Sequence, residues 1–125
     1  DSGIAVDALN GEPGVYSARF GGLDTDAART ALLLQRLQNV PDEQRTARFV
    51  SVVTCVLPDG RVVAARGTCE GVINHAPGGE NGFGYDPIFI PQGYNNTFAN
   101  LPAEVKNSIS HRAKAISALK KVLQK

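Results

Sequence analysis

Lys106 and the run Ser110-His111-Arg112 carry the clearest chemical signal in this chain, because they lie where a C-terminal amphipathic stretch begins. A helix N-terminus carries partial positive charge and unpaired N–H groups, so basic side chains there are locally unfavourable unless an anion binds among them. The conflict points to a phosphate or carboxylate ligand. A solvated polar edge explains any one of these residues alone. Their shared placement, and the adjacency of His111 and Arg112, favour one ligand addressed by several groups.

A second signal is Gly82-Phe83-Gly84-Tyr85-Asp86. No Lys-Ser or Lys-Thr follows it, so it is not a phosphate loop of the GxxxxGKS kind. Two readings stay open. The glycines either let the loop expose an aromatic face to a flat ligand, where stacking a base contributes roughly 1 to 3 kcal/mol, or let Phe83 and Tyr85 plug the core beneath a tight turn.

The carboxylates Asp1, Asp7, Asp24, Asp26 and Asp86 are dispersed, without a DxD or HExxH pattern. A magnesium–phosphate site still fits, since a hard cation needs few protein carboxylates when substrate phosphates supply the other oxygens. Cys55, Cys69, His75 and His111 contain no close ligand pair, which argues against zinc. Ser2 and Ser110 lack the GxSxG setting of a nucleophilic serine. Phosphate chemistry with an activated water fits this inventory better than a covalent nucleophile.

These groups need a scaffold, and 125 residues suffice for one domain with its own core. Thirteen basic against twelve acidic residues give a net charge of +1, which argues against a nucleic-acid polymer as partner, because backbone binding needs a broad basic face. No signal peptide or long apolar run is present, so a membrane is not expected. A reducing, cytoplasmic setting is the default, with Cys55 and Cys69 as buried thiols.

Ile4 to Leu9 reads as a short strand ended by the Asn10-Gly11 and Pro13-Gly14 turn signals, and Arg19 to Asp24 as a loop. From an N-cap at Asp24 or Thr25, apolar residues at three- and four-residue steps predict a helix stopped by Pro41. Arg48 to Leu57 is apolar at nearly every position, which predicts a strand buried on both faces. Asp59-Gly60 turns it into a partner strand at Arg61 to Ala65, extended by Thr68 to Ile73. A short strand over Ile88 to Ile90 follows, then helical turns over Ala103 to Ile109 and a last helix capped by Ser110. The sum is an α/β domain with a mixed, partly antiparallel sheet covered by helices.

DSGIAVDALNGEPGVYSARFGG at Asp1 to Gly22, GFGYDPIF at Gly82 to Phe89 and EVKNSISHRAKA at Glu104 to Ala115 together closely resemble the inosine triphosphate pyrophosphatase family. The motifs occur in the family's order, from the first residue nearly to the last. The resemblance implies a magnesium-dependent homodimer that hydrolyses inosine, deoxyinosine and xanthosine triphosphates to the monophosphate and pyrophosphate. It places Asp1 as metal ligand and proton acceptor, and Ser2 at a substrate contact. Phe83, Gly84, Tyr85 and Asp86 match the loop that holds the base, with Phe83 as stacking ring. Lys106, His111 and Arg112 match substrate-binding positions. The family's N-terminal strand, phosphate-binding loop and second acidic metal ligand have no counterpart here, so the chain reads as N-terminally truncated, corresponding to about the last two-thirds of the fold. Such a piece is expected to be either part of the pyrophosphatase or a non-catalytic nucleotide-binding or dimerisation module.

Overall fold

The computed structural model describes residues 2–80 and 82–123. Four strands, β1 (Ser2–Val6), β2 (Thr46–Val56), β3 (Val62–Ile73) and β4 (Phe89–Pro91), lie side by side in chain order. Every pairing among them is antiparallel, because β2 and β3 form a hairpin and each outer strand joins its edge in the opposite sense. Three α-helices accompany the sheet: α1 (Asp26–Arg36), α2 (Ala103–Ile109) and α3 (His111–Leu123). The α/β expectation is therefore met.

Register decides which side chains meet. Ile4 pairs with Phe49, Phe49 with Cys69, and Ile73 with Phe89, and residues directly opposite one another share a sheet face. That face is the core, where Phe49, Phe89 and Phe98 pack as an aromatic cluster with Ile4, Val6, Leu33 and Leu37. Helix α3 rests on it at Gly67. A Cβ there would come within 2.2 Å of the Ala115 backbone nitrogen and 2.3 Å of the His111 carbonyl oxygen. The missing side chain is what lets the helix approach.

The expected burial of the second strand on both faces is not found. Ala47, Phe49 and Ser51 are buried in alternation, whereas Val52 is 40% and Val56 68% exposed. On the outer face Arg48 instead bridges Asp7 at 2.9 Å and Glu70 at 3.0 Å. Val52 and Val56 lie on this same outer face, where the valines satisfy strand propensity rather than burial, while on the core face cover thins toward the Asp59-Gly60 turn, Val53 and Cys55 being only half-buried. Cys69 is buried as expected and Cys55 only partly, since it lies in this thinner half.

Local boundaries differ in instructive ways. The first strand stops at Val6, and Asp7–Leu9 curls into a 3₁₀ turn. Gly14–Gly22 forms 3₁₀ turns broken at Arg19, Phe20 and Gly21, where a plain loop was expected from Arg19. Thr25 does cap α1, its Oγ1 accepting the Ala28 N–H at 3.1 Å. The helix ends at Arg36, before Pro41, in tightened turns where the Leu37 N–H donates to the carbonyls of Leu33 and Leu34 at 3.2 Å each and the Gln38 N–H to that of Gln35 at 3.3 Å. The buried Arg45 guanidinium donates to the carbonyls of Leu37 at 2.6 Å, Ile73 at 2.9 Å and Asn74 at 2.8 Å. It ties the end of α1 to the end of β3, adding a donor to the Leu37 carbonyl, which also accepts the Val40 N–H at 3.0 Å.

Candidate functional site

Ser110 is the one residue between α2 and α3. Its extended backbone ends α2, its N–H donating to the Lys106 carbonyl at 2.9 Å, while its Oγ accepts the Ala113 N–H at 3.2 Å and caps α3. This break aims the last turn of α2 and the first turn of α3 into the same cleft.

It also revises the premise of misplaced cations. Lys106 lies in the last turn of α2, where positive charge is favourable. His111 is buried, and its pKa is held down at about 4, first by burial and then by the charges of Arg112 and Lys106. The imidazole is therefore neutral at pH 7. Of the three, only Arg112 places a charge at a helix N-terminus.

The loop before β4 is fixed by Asp86, which is 4% exposed. Its Oδ2 accepts from Lys106 Nζ at 2.5 Å and from the Phe83 N–H at 3.0 Å. Gly82 is required here, because its φ is +78° and a Cβ would lie 2.3 Å from that same oxygen. The open choice between aromatic display and core plug divides between the two rings. Tyr85 is buried, donating its hydroxyl to the Ser17 carbonyl at 2.6 Å, and burial pushes its pKa up to about 12. Phe83 is 57% exposed. Its ring centroid lies 4.7 Å from Lys106 Nζ and 5.0 Å from Arg112 Cζ, within cation–π range of both.

Ser2, Phe83, Gly84, Tyr85, Asp86, Lys106, His111 and Arg112 all line one cavity of about 500 Å³. Arg112 Nε reaches Ser2 Oγ at 3.4 Å, so β1 and α3 meet at its mouth. The His111 ring stacks on Phe49 with centroids 4.8 Å apart, which makes the cleft wall a continuation of the aromatic core. His111 Nδ1 is buried and has no hydrogen-bond partner among the described residues. Asp1, the expected metal ligand and proton acceptor, lies outside the described residues.

Sequence reasoning missed Ser17, Asp26, Arg29 and Asn107, which line the same cavity. In the sequence Asp26 is only one of several dispersed carboxylates and Arg29 carries no signal, since nothing local marks an aspartate and an arginine one turn apart at a helix start. For a resident metal, the described residues alone do not suffice. No group of three His, Cys, Asp or Glu side chains among them converges on one point. Asp26 and Asp86, the carboxylates at the cavity, are each engaged by a cation and a backbone N–H. Among the described residues no helix is long and apolar enough to cross a membrane.

Fold and cleft thus define an α/β protein whose cavity presents an exposed aromatic ring between two fixed cations. Comparison with known proteins narrows the class: the Ham1 family model matches residues 1–122, and the chain belongs to that family. It is 52% identical to the dITP/XTP pyrophosphatase of Desulforamulus reducens over 126 residues, covering 100% of this chain and 63% of the relative. It is 52% identical to the dITP/XTP pyrophosphatase of Thermus thermophilus over 119 residues, covering 95% of this chain and 58% of that one. Among solved structures, the Staphylococcus aureus Ham1 protein superposes with a TM-score of 0.92 at 46% identity, covering 99% of this chain and 64% of the other. A dITP/XTP pyrophosphatase from Mycobacterium abscessus gives a TM-score of 0.84 at 53% identity, covering 95% of this chain and 63% of that one. The chain spans less than two-thirds of the length of these relatives.

Proposed function

We propose that this chain supplies the base-holding and anion-holding wall of a nucleoside-triphosphate pyrophosphatase. Its substrates would be inosine, deoxyinosine and xanthosine triphosphates, hydrolysed to the monophosphate and pyrophosphate, so that non-canonical purines leave the nucleotide pool. The observation that carries this reading is the Phe83 ring, exposed in a cleft with Lys106 and Arg112 beside it. A flat base has a stacking surface there, and its phosphates have positive charge within reach. The relatives named dITP/XTP pyrophosphatases support the substrate class.

Discrimination among purines has a physical basis in His111. A neutral imidazole carries one N–H and one bare nitrogen, and its Nδ1 has no partner among the described residues. Hypoxanthine and xanthine present a carbonyl oxygen where adenine presents an amino group. A donor from His111 or Arg112 is satisfied by the oxygen and left facing another donor by the amine, a mismatch that binding sites amplify. Arg112 and Lys106, held in place before substrate arrives, stabilise charge gathering on the phosphates without reorganising.

Asp1 is proposed as proton acceptor and as the ligand of Mg2+, which would neutralise phosphate charge and activate water when bound. A homodimer in the cytoplasm, acting on free nucleotides rather than nucleic acid, completes the proposal. The test is magnesium-dependent pyrophosphate release from inosine triphosphate, comparing this chain with Asp1→Asn. Release by the chain and its loss in the variant is the expected result. Equal background release from both overturns catalysis by this chain, and retained nucleotide binding would then make it a binding or dimerisation module.

A further inference from the structure

We infer, resting on the purine-site reading above, that Asp26 is a positioning residue which holds the Phe83 loop in its base-accepting conformation from outside the loop. Asp26 opens α1, 58 residues away from Gly84 in sequence, yet its Oδ2 accepts the Gly84 N–H at 2.9 Å. Its other oxygen accepts from Arg29 Nη1 at 2.9 Å, and Arg29 Nε in turn donates to the Leu23 carbonyl at 3.1 Å. The carboxylate is thus oriented by the helix it belongs to and offers its free oxygen to the loop.

The loop has a use for that anchor. Gly84 lies between the exposed Phe83 and the buried Tyr85, with φ +61° and no atom within 4 Å of where a Cβ would stand. Asp86 pins the loop at its start and Tyr85 pins it from below. Neither holds the amide that follows the ring. Asp26 does, so displacing the loop backbone that carries Phe83 away from the cleft requires breaking a charge-assisted hydrogen bond. If the loop is competent only while anchored, apparent affinity falls in proportion to the competent fraction.

The electrostatic expectation runs the other way, which makes the test discriminating. Asp26 lines a cleft that attracts anions, so deleting its charge should by Coulomb forces alone tighten nucleotide binding. Calorimetric titration of the chain with inosine monophosphate and, separately, with inorganic tripolyphosphate reads both effects. Asp26→Ala is expected to weaken inosine monophosphate about fivefold, with tripolyphosphate unchanged or tighter, and to speed hydrogen exchange at the Gly84 amide. Asp26→Asn keeps an oxygen acceptor for Gly84 and is expected to recover most of both losses.

Phe83→Ala separates this inference from the reading beneath it. If Phe83→Ala weakens inosine monophosphate and Asp26→Ala does not, the positioning role is overturned and the purine site stands. If Phe83→Ala leaves affinity unchanged, the stacking reading fails and the positioning role fails with it. Unaltered Gly84 exchange in Asp26→Ala overturns the anchor whatever the affinities show.

Discussion

Lys106 Nζ lies 2.5 Å from Asp86 Oδ2 and 4.7 Å from the Phe83 ring centroid, so one ammonium joins α2 to the loop and to the ring that loop displays. The pair is mostly buried, with side-chain exposures of 18% for Lys106 and 6% for Asp86. Its geometry therefore serves the cleft as much as the fold.

Removing Asp86 leaves a buried ammonium and the Phe83 N–H without their shared acceptor. Asp86→Ala should destabilise the chain by about 2 to 4 kcal/mol, measured by urea unfolding. Adding Lys106→Met should restore part of that loss, because the uncompensated charge disappears. Strict additivity of the two changes would show that the pair is not coupled.

His111 gives a signed pH dependence. Its folded pKa of about 4 lies below the unfolded value of about 6.5, so between these pH values the unfolded chain binds more protons. Stability is fully present above pH 6.5 and is lost as pH falls toward 4, with a total on the order of 3 kcal/mol. His111→Phe preserves the stack on Phe49 and removes the titration. Urea midpoints between pH 7.5 and 4.5 should fall more steeply for the native chain than for His111→Phe. Parallel curves would exclude His111 as the titrating group.

Gly67→Ala tests how α3 is seated. The added methyl meets three backbone atoms of α3, of Ala115, His111 and Lys114, at 2.2 to 2.8 Å. Backbone yields only by moving the helix, so a loss of about 1 to 3 kcal/mol is expected. The same shift displaces His111 and Arg112, and inosine monophosphate affinity should drop with it. Native stability in the variant would mean that α3 does not rest on β3 at this point.

Arg45 supports α1 from below. It is 2% exposed and is satisfied by backbone carbonyls rather than by a carboxylate. Arg45→Met fills the space but removes the buried donors to those carbonyls, with an expected cost of about 3 to 5 kcal/mol in urea unfolding. Arg45→Lys should recover less than half, since one ammonium cannot reproduce the planar fork.

The sequence by itself determined the elements with local causes. The Asp59-Gly60 turn sets the β2–β3 hairpin, Asp24-Thr25 and Ser110 mark where their helices start, and the motifs at Gly82–Asp86 and Lys106–Arg112 mark the cleft. What it did not decide followed from distance. The apolar run of β2 looked doubly buried, but only alternate residues face the core, and Val52 and Val56 stand on the opposite, exposed face. Lys106 looked like a misplaced cation, but it stands in the last turn of α2 with Asp86, 20 residues earlier in the chain, beside its ammonium. His111 counted as a possible charge until burial made it neutral. Asp26 gave no sign of reaching Gly84, because a first-turn aspartate already has a local reason to be there. Hydrogen-bonding capacity and charge are written in residue type, whereas partner and protonation state are set by what the fold brings within a few ångströms and what it shields from water.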